Sequence, residues 1–357
     1  MSKAAELAAL IGSGQAQGNK NLIINGAMLV AQRGTSGTST ADIYTVDRFA
    51  IGHGSPVNAM TFEQSTDAPN NFKNSIKVTA GTGASASTTG YALLRQAIEG
   101  QNIAHIGFGT SAAKAIILSF YVKSSLTGTF GVSMRNQAGT RAYGGTYAIS
   151  SANTWEYKTV TIPADTGGTW PTDTGIGFHM QWDLGAGSNY DIAAGSWTDG
   201  TNMFGVEGTV KLTETTNATW QMTGVQLEVG DVATPFEHED FGTTLAKCQR
   251  YYQRIDSNGT YDALLDGMHL VTTQFYAMHT FPTQMRAEPT MSGSGTFSVM
   301  SNGADKTPDS LILNRATKEV VQTYSALSGG NVGVAGYGGH IRNNNDATTF
   351  LEFKAEL

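Results

Sequence analysis

Three tryptophans and a tyrosine crowd the middle of this chain. Trp170, Trp182, Tyr190 and Trp197 fall within 28 residues, in the stretches GGTWPTDTG, MQWDLGAGSNYD and GSWTDGTN. Asp183, Asn189 and many Gly and Thr residues lie between them. An indole or phenol face stacks on the apolar face of a pyranose, while amides and carboxylates bind its hydroxyls. Trp170, Trp182, Asp183, Asn189, Tyr190 and Trp197 are therefore the candidate carbohydrate-binding residues. Trp182 lies inside a strand pattern, where an indole serves a core more readily than a ligand, whereas Trp170 and Trp197 stand in polar Gly-rich contexts that suit either role. Trp155 and Trp220 begin strand patterns and are expected in the core.

Other chemistry finds less support. Glycosidic hydrolysis needs two carboxylates roughly 5 to 9.5 Å apart. Asp173, Asp183, Asp191, Asp199 and Glu207 are close enough in sequence to supply a pair, but no pattern selects two of them. Nucleophile-elbow, P-loop, HExxH and DxDxDG motifs are all missing. GFGTSAAK, residues 107–114, lacks the GxxxxGK[ST] spacing and reads as a turn ahead of a strand. His269 and His279 share parity on one predicted strand but stand ten residues apart, too far to chelate within a chain. They read as structural, and only convergence of three copies on a symmetry axis would make a metal site of them. The single cysteine, Cys248, excludes an intramolecular disulfide and a Cys-based zinc site. No catalytic residue, metal or cofactor is expected.

The elements that must position these residues are mostly strands. The expected fold class is mainly β: an N-terminal short helix, a jelly-roll β-sandwich, a linking helix and a second C-terminal β-sandwich domain. Residues 1–20 read as a helix on a Gly/Gln/Asn-rich tether, with Leu7, Leu10 and Ile11 on one face. Residues 21–238 read as β throughout. NLIINGAMLV opens the series with a turn at Asn25-Gly26. AKAIILSFYVKSS places Ile116, Leu118, Phe120 and Val122 on one face, and TWEYKTVTIP, GIGFHMQWDL and GTVKLTET follow. WQMTGVQLEVG closes the series, and its buried parity shifts across Thr223-Gly224, which predicts a β-bulge. EDFGTTLAKCQRYYQ, within a linking segment 239–254, reads as a helix with Phe241, Leu245, Cys248 and Tyr252 on one face and Glu239 and Asp240 at its start. Residues 255–357 read as a second β domain. There MHLVTTQFYAMHTFP is one long strand, and SALSGGNVGVAGYGGHIRNNNDA is a loop too long for a plain hairpin turn.

Composition narrows the partners. Charged residues are only 14% of the 357, and Gly numbers 43. Low charge fits a chain that buries surface against other copies. The net charge of −7 and the lack of a basic block argue against nucleic acid. No apolar run approaches 18 residues, so no membrane insertion is expected, and the first residues lack the pattern of a signal peptide.

Two segments together resemble a known group. NLIINGAMLVAQRGTS followed by YTVDRF, and WQMTGVQLEVGDVATPFEHEDFGTTLAKCQRYYQR, are similar to bacteriophage tail-fibre and receptor-binding proteins, above all those of phages of marine bacteria. FPTQMRAEPTMSGSG and the terminal TTFLEFKAEL look like the same group. The first segment and the VQLEVG strand also resemble the ends of jelly-roll carbohydrate-binding modules. The resemblance implies a homotrimeric virion protein, made in the host cytoplasm, whose β domains bind host-surface polysaccharide or lipopolysaccharide. It implies that Leu7, Leu10 and Ile11 belong to an anchoring helix that grips other virion (tail) proteins. It assigns no sugar-binding residue. Two other roles stay open: a purely structural appendage protein and a polysaccharide depolymerase. The latter often uses a long β-helix, and no short solenoid repeat is present here.

Overall fold

The structure is a computed structural model and describes residues 20–39, 41, 43–54, 57–84 and 87–357. The helix expected at Leu7, Leu10 and Ile11 lies outside the described residues. The chain divides into two compact units: the first runs to Thr244 and takes in Leu357, and the second is Leu245–Glu356.

The first unit is a two-sheet β-sandwich. Its strands in chain order begin with β1 (Ser36–Ser39), β2 (Ile43–Tyr44), β3 (Ala50–Gly54), β4 (Met60–Ser65), β5 (Ser75–Ala80) and β6 (Tyr91–Glu99). Next come β7 (Ile116–Ser124), β8 (Gly128–Asn136), β9 (Arg141–Ile149), β10 (Glu156–Ile162) and β11 (Ile176–Asp183). The short β12 (Asp191–Ile192), β13 (Trp197–Asp199) and β14 (Gly205–Val206) precede the long closing strand β15 (Thr219–Val229). One sheet has the order β1-β4-β5-β15-β7-β10 and the other β13-β9-β8-β11-β6-β3-β2. Successive strands cross back and forth between the sheets, as in a jelly roll.

Period-2 patterning explains which side chains meet between the sheets. Ile116, Leu118, Phe120 and Val122 of β7 are fully buried there, as are Phe178, Met180 and Trp182 of β11. Trp182 packs between Phe49 and Phe120, at ring distances of 6.2 and 6.0 Å. Burying each such side chain is worth roughly 1.5–3 kcal/mol. The alternate residues His179, Gln181 and Asp183 are thereby sent to the outer face of the seven-stranded sheet.

The parity shift in β15 is a bulge. Its register against β7 slips between Thr223 and Gln226. Gly224 sits there at φ 62°, and a Cβ on it would lie 2.6 Å from Phe72 Cζ. The bulge lets Trp220 and Met222 before it, and Val225 and Leu227 after it, all face the core.

Several sequence expectations change. Residues 22–28 form a turn rather than a strand, because Asn25 (φ 61°) accepts the amides of Leu29 and Val30 on its own side chain. That turn still meets the closing strand, through Leu22 N to Leu227 O at 2.8 Å and Val225 N to Gly26 O at 3.0 Å. GTVKLTET contains a 3-10 turn, Leu212–Glu214, in place of a strand. Helix α1 covers Phe241–Gln249 only. Asp240 caps it, accepting the Thr243 amide at 2.9 Å. Phe241 is exposed, and Tyr252 belongs to the next strand, where Tyr252 pairs with Lys354. Helical spacing had joined residues that two different elements use.

The second unit has strands β16 (Tyr252–Asp256), β17 (Ala263–Val271), β18 (Gln274–Thr280), β19 (Thr290–Ser294) and β20 (Phe297–Ser301). They are followed by β21 (Ala304–Lys306), β22 (Ser310–Ala316), β23 (Val320–Ala326), β24 (Gly338–Asn343) and β25 (Phe350–Lys354). A three-stranded sheet, β16-β25-β19, and a seven-stranded sheet, β21-β20-β24-β17-β18-β23-β22, enclose Phe275, Val299, Val321, Ile341, Leu351 and Phe353. MHLVTTQFYAMHTFP is a hairpin that turns at Thr272-Thr273, where no Gly, Asn or Pro announces it. The Gly/Asn-rich stretch holds β24, paired on both sides. The one buried apolar residue of β24, Ile341, is too sparse a pattern to mark a strand.

Candidate functional site

The outer face of the first unit's seven-stranded sheet is built by the registers of five strands. One row runs Ala50, Arg95, Gln181, Ser133 and Gly144 across β3, β6, β11, β8 and β9. The next runs Ala97, His179, Arg135 and Ala142. Strand β3 gives this face only Ala50, Gly52 and Gly54, so it forms a low floor at one side. A Cβ on Gly54 would lie 2.2 Å from Tyr91 Cε1, and one on Gly52 3.5 Å from Arg95 Nη1. Side chains of β6 therefore lie across the small residues of β3.

The other end of the face is covered by the excursion between β11 and β15. Asp183 holds that excursion down. Its carboxylate is fully buried and accepts the amides of Gly185, Ala186 and Val206 at 3.0, 2.9 and 3.1 Å. Thr209 Oγ1 and Lys211 Nζ complete its partners. Lys211 also reaches Asp191 at 2.9 Å. Burial opposes the Lys211 charge, yet Asp183 and Asp191 raise its pKa above the usual value. Tyr91, Tyr190 and Phe204 form a three-ring cluster on the same face, with centroids 4.8 to 5.7 Å apart.

Beside that cluster several buried polar atoms go unused. Gln181 is fully buried; its Oε1 accepts from Ser133 Oγ at 3.3 Å, but its Nε2 finds no partner among the described residues. His179 Nδ1 and Arg135 Nε are likewise unpartnered. The Arg135 guanidinium packs over the Phe204 ring at 5.2 Å. Burial holds His179 well below the usual imidazole value, and Arg135 and Arg95 add to the effect, so the ring is neutral at pH 7. An unmet buried donor costs about 1–3 kcal/mol, and such groups concentrate where a ligand or function uses them.

The structure divides the six sequence candidates. Tyr190 joins the three-ring cluster, and Asn189 beside it is exposed. Trp182 is in the core and has no face for a ligand. Asp183 spends its lone pairs on the excursion. Trp170 is buried, and its indole N–H donates to Asp165 Oδ2 and Gly167 O at 3.1 and 3.0 Å. Trp197 is half-buried on the edge strand β13, against Trp170, Phe108 and Tyr143, with the Arg141 guanidinium 5.5 Å from its ring. Arg141 in turn forks onto the buried Asp165 carboxylate. This second cluster is a packed corner. Trp220 is core as expected, whereas Trp155 is half-exposed and donates to Asp67 at 3.1 Å.

Sequence reading missed Tyr91, Arg95, Arg135, His179 and Gln181. The signal was present: in GIGFHMQWDL the residues between Phe178, Met180 and Trp182 must face the other way. Among the described residues no group of three or more metal-capable side chains gathers, and no helix is long and apolar enough to cross a membrane. His269 and His279 fall on neighbouring strands; His269 Nε2 lies 2.8 Å from Ser301 Oγ, and His279 stacks on Phe353.

No family model and no curated protein matches this chain. Solved structures do. The enzymatically active domain of tailspike protein 4 from bacteriophage CBA120 matches 59% of this chain at 13% identity and a TM-score of 0.31. This chain spans only 22% of that structure's length. The family 11 carbohydrate-binding module of a cellulosomal cellulase from Clostridium thermocellum matches 57% of this chain and 98% of its own, at 14% identity and a TM-score of 0.27. The CBM22-1 xylan-binding domain from Paenibacillus barcinonensis matches 61% and 99%, at 8% identity and a TM-score of 0.27. These likenesses are too loose to place a ligand.

Proposed function

We propose that this chain is a phage virion fibre protein, a non-enzymatic adhesin that binds host-surface glycan as a homotrimer. The observation that carries the binding is the outer sheet face of the first unit. Its buried Gln181 Nε2 donor is unspent, the His179 Nδ1 has no partner among the described residues, and both lie beside Arg135 and the rings of Tyr91, Tyr190 and Phe204. Amide, imidazole and guanidinium groups next to aromatic rings match the hydroxyls and apolar face of a sugar. Binding of the full chain to host polysaccharide or lipopolysaccharide, measured by glycan array and calorimetry, tests the reading. Gln181→Ala is expected to weaken binding about tenfold, the value of one hydrogen bond of about 1.4 kcal/mol, with the thermal midpoint of unfolding as the folding control. Failure to bind any glycan of the host surface would overturn it.

A separate observation supports self-association. On the outer face of the second unit's seven-stranded sheet, Met268, Tyr276, Tyr324 and Ile312 form one row across four strands. Met268, Met278 and Ile312 are 46, 58 and 50% exposed. The adjacent row begins at Asp266 and ends at Arg315, opposite charges on opposite sides of the patch. Head-to-tail packing of three copies would cover the apolar row and bring Asp266 of one to Arg315 of the next. The same face would equally serve a structural appendage protein that binds only virion proteins. Deletion of the chain separates the two roles: host adsorption that survives deletion favours the structural one.

A further inference from the structure

The six-stranded sheet of the first unit has an outer face of its own. A polar row, Ser36, Glu63, Lys77, Gln221 and Lys123, crosses β1, β4, β5, β15 and β7 there. At the β1 end, Ser36, Thr38, Thr61, Glu63, Lys77 and Thr79 line an open hollow of about 310 Å³. At the β10 end stand aromatic rings. Tyr157 of β10 lies opposite Tyr121 of β7, with centroids 5.0 Å apart, and Phe72 lies 5.5 Å from Tyr121. Trp155 immediately precedes β10. The strand order β4-β5-β15-β7-β10 puts hollow and rings roughly 19 Å apart.

Trp155 differs from the other four tryptophans. Trp170, Trp182 and Trp220 are buried, and Trp197 is packed by three rings. Trp155 is half-exposed, and no ring packs on it among the described residues. It is nonetheless held in place. Asp67 accepts the Trp155 indole N–H at 3.1 Å, Lys123 Nζ at 2.6 Å and Gln221 Nε2 at 3.4 Å. The Lys123 hydrogen bond keeps the Asp67 carboxyl below its usual value, so this clamp is charged at neutral pH. Lys123 Nζ also stands over the indole, 5.9 Å from its centroid. A ring fixed in advance loses little freedom when a ligand stacks on it. Tyr157 is 46% exposed, and neither its hydroxyl nor that of Tyr121 has a hydrogen-bond partner among the described residues.

Charge and composition narrow the ligand. Lys77 pairs with Glu63 at 2.8 Å and Lys123 with Asp67, so both cations of the row are matched. A charged ligand would have to break such a pair, and a neutral one would not. The centre of a protein–protein interface is depleted of Lys, Glu, Asp and Ser, the residues that fill this row and its clamp. Rings with hydroxyls, an amide and paired charges beside them instead suit the C–H faces and hydroxyls of a sugar chain.

We infer that the outer face of the six-stranded sheet is a second glycan-binding face, taking a neutral sugar chain that stacks on Trp155 and Tyr157 and reaches toward the hydroxyl-lined hollow. The inference rests on the glycan-binding reading above for its ligand class, and on separate residues for its site. The test presents the full chain to an array of neutral and uronic-acid oligosaccharides. At least one neutral oligosaccharide is expected to lose about tenfold or more in affinity with Trp155→Ala and with Tyr157→Ala, while Trp155→Phe retains part of it. Its affinity is expected to change less than about twofold between low and high salt. The same oligosaccharide should shield tryptophan fluorescence from acrylamide in the wild type and not in Trp155→Phe. The wild-type shielding and Tyr157→Ala, at an exposed position, keep the test decisive even if Trp155→Ala unfolds. Neutral glycans that are lost with Gln181→Ala, but never with Trp155→Ala or Tyr157→Ala, overturn the second face and leave the first intact. Binding confined to acidic glycans overturns the neutral ligand. Absence of binding to every glycan overturns both faces.

Discussion

Single residues carry more than their share here. Lys211 bridges two carboxylates, one of them fully buried. Lys211→Met is expected to destabilise the first unit by about 3 kcal/mol, because it leaves Asp183 charged and buried without its cation. Denaturant titration followed by tryptophan fluorescence measures this. His179 makes the opposite kind of prediction. Its folded pKa lies well below 6.5, chiefly through burial. Below pH 6.5 the unfolded chain therefore takes up a proton that the folded chain refuses, and stability falls as the pH falls. Burial also lowers His105, His269 and His279, so the readout is a difference: His179→Gln should lose less stability than wild type between pH 6.5 and 5. Equal losses would remove His179 from this account. Indole count was a poor guide at this scale. A Trp in a Gly-rich stretch looks exposed in sequence, yet Trp170 finds Asp165 and Gly167 for its N–H and can be buried.

At the scale of elements, period-2 alternation was legible and chain reversal less so. The strands at 116–124, 156–162, 176–183 and 219–229 follow their apolar patterns, and the bulge at Thr223-Gly224 was readable because parity slipped there. The hairpin at Thr272-Thr273 was not, since two threonines are ordinary strand residues. Strand β24 was hidden by its glycines, and α1 looked too long because Tyr252 of β16 happened to fall at helical spacing. The outer-face site needed two strands on either side of β11 to be paired correctly, and register across sequence gaps of 40 residues or more is set by tertiary packing rather than by local pattern. The bulge itself can be tested. Gly224→Ala forces a side chain into left-handed backbone and against the Phe72 ring, and a loss of about 2 kcal/mol or more is expected from the denaturation midpoint.

For the whole molecule, the row Met268, Tyr276, Tyr324 and Ile312, exposed at Met268 and Ile312, is a liability for a lone chain. We expect light scattering to give three times the chain mass of 37.7 kDa at micromolar concentration. Met278→Asp, which sets a charge in that patch, should shift the mass toward a single chain without changing the far-ultraviolet signature of strands. A wild-type monomer would contradict the trimer. The mainly β class was open to sequence reading, through short apolar runs separated by turn residues. The proposed self-association had two hints in the sequence, low charge and the fibre resemblance, and no local pattern, because an apolar outer face and an apolar core face alternate identically along a strand.

The bare edge of β3 has a consequence for how such a surface could change over generations. Gly52 and Gly54 lack the atoms that would meet β6: a Cβ on them would lie 3.0 Å from Leu93 Cδ1 and 2.2 Å from Tyr91 Cε1. A methyl added at Gly54 would tilt the Tyr91 ring, and one added at Gly52 would press on Leu93. One strand thus works as a dial for the proposed glycan-binding face, whose shape changes in steps of one carbon.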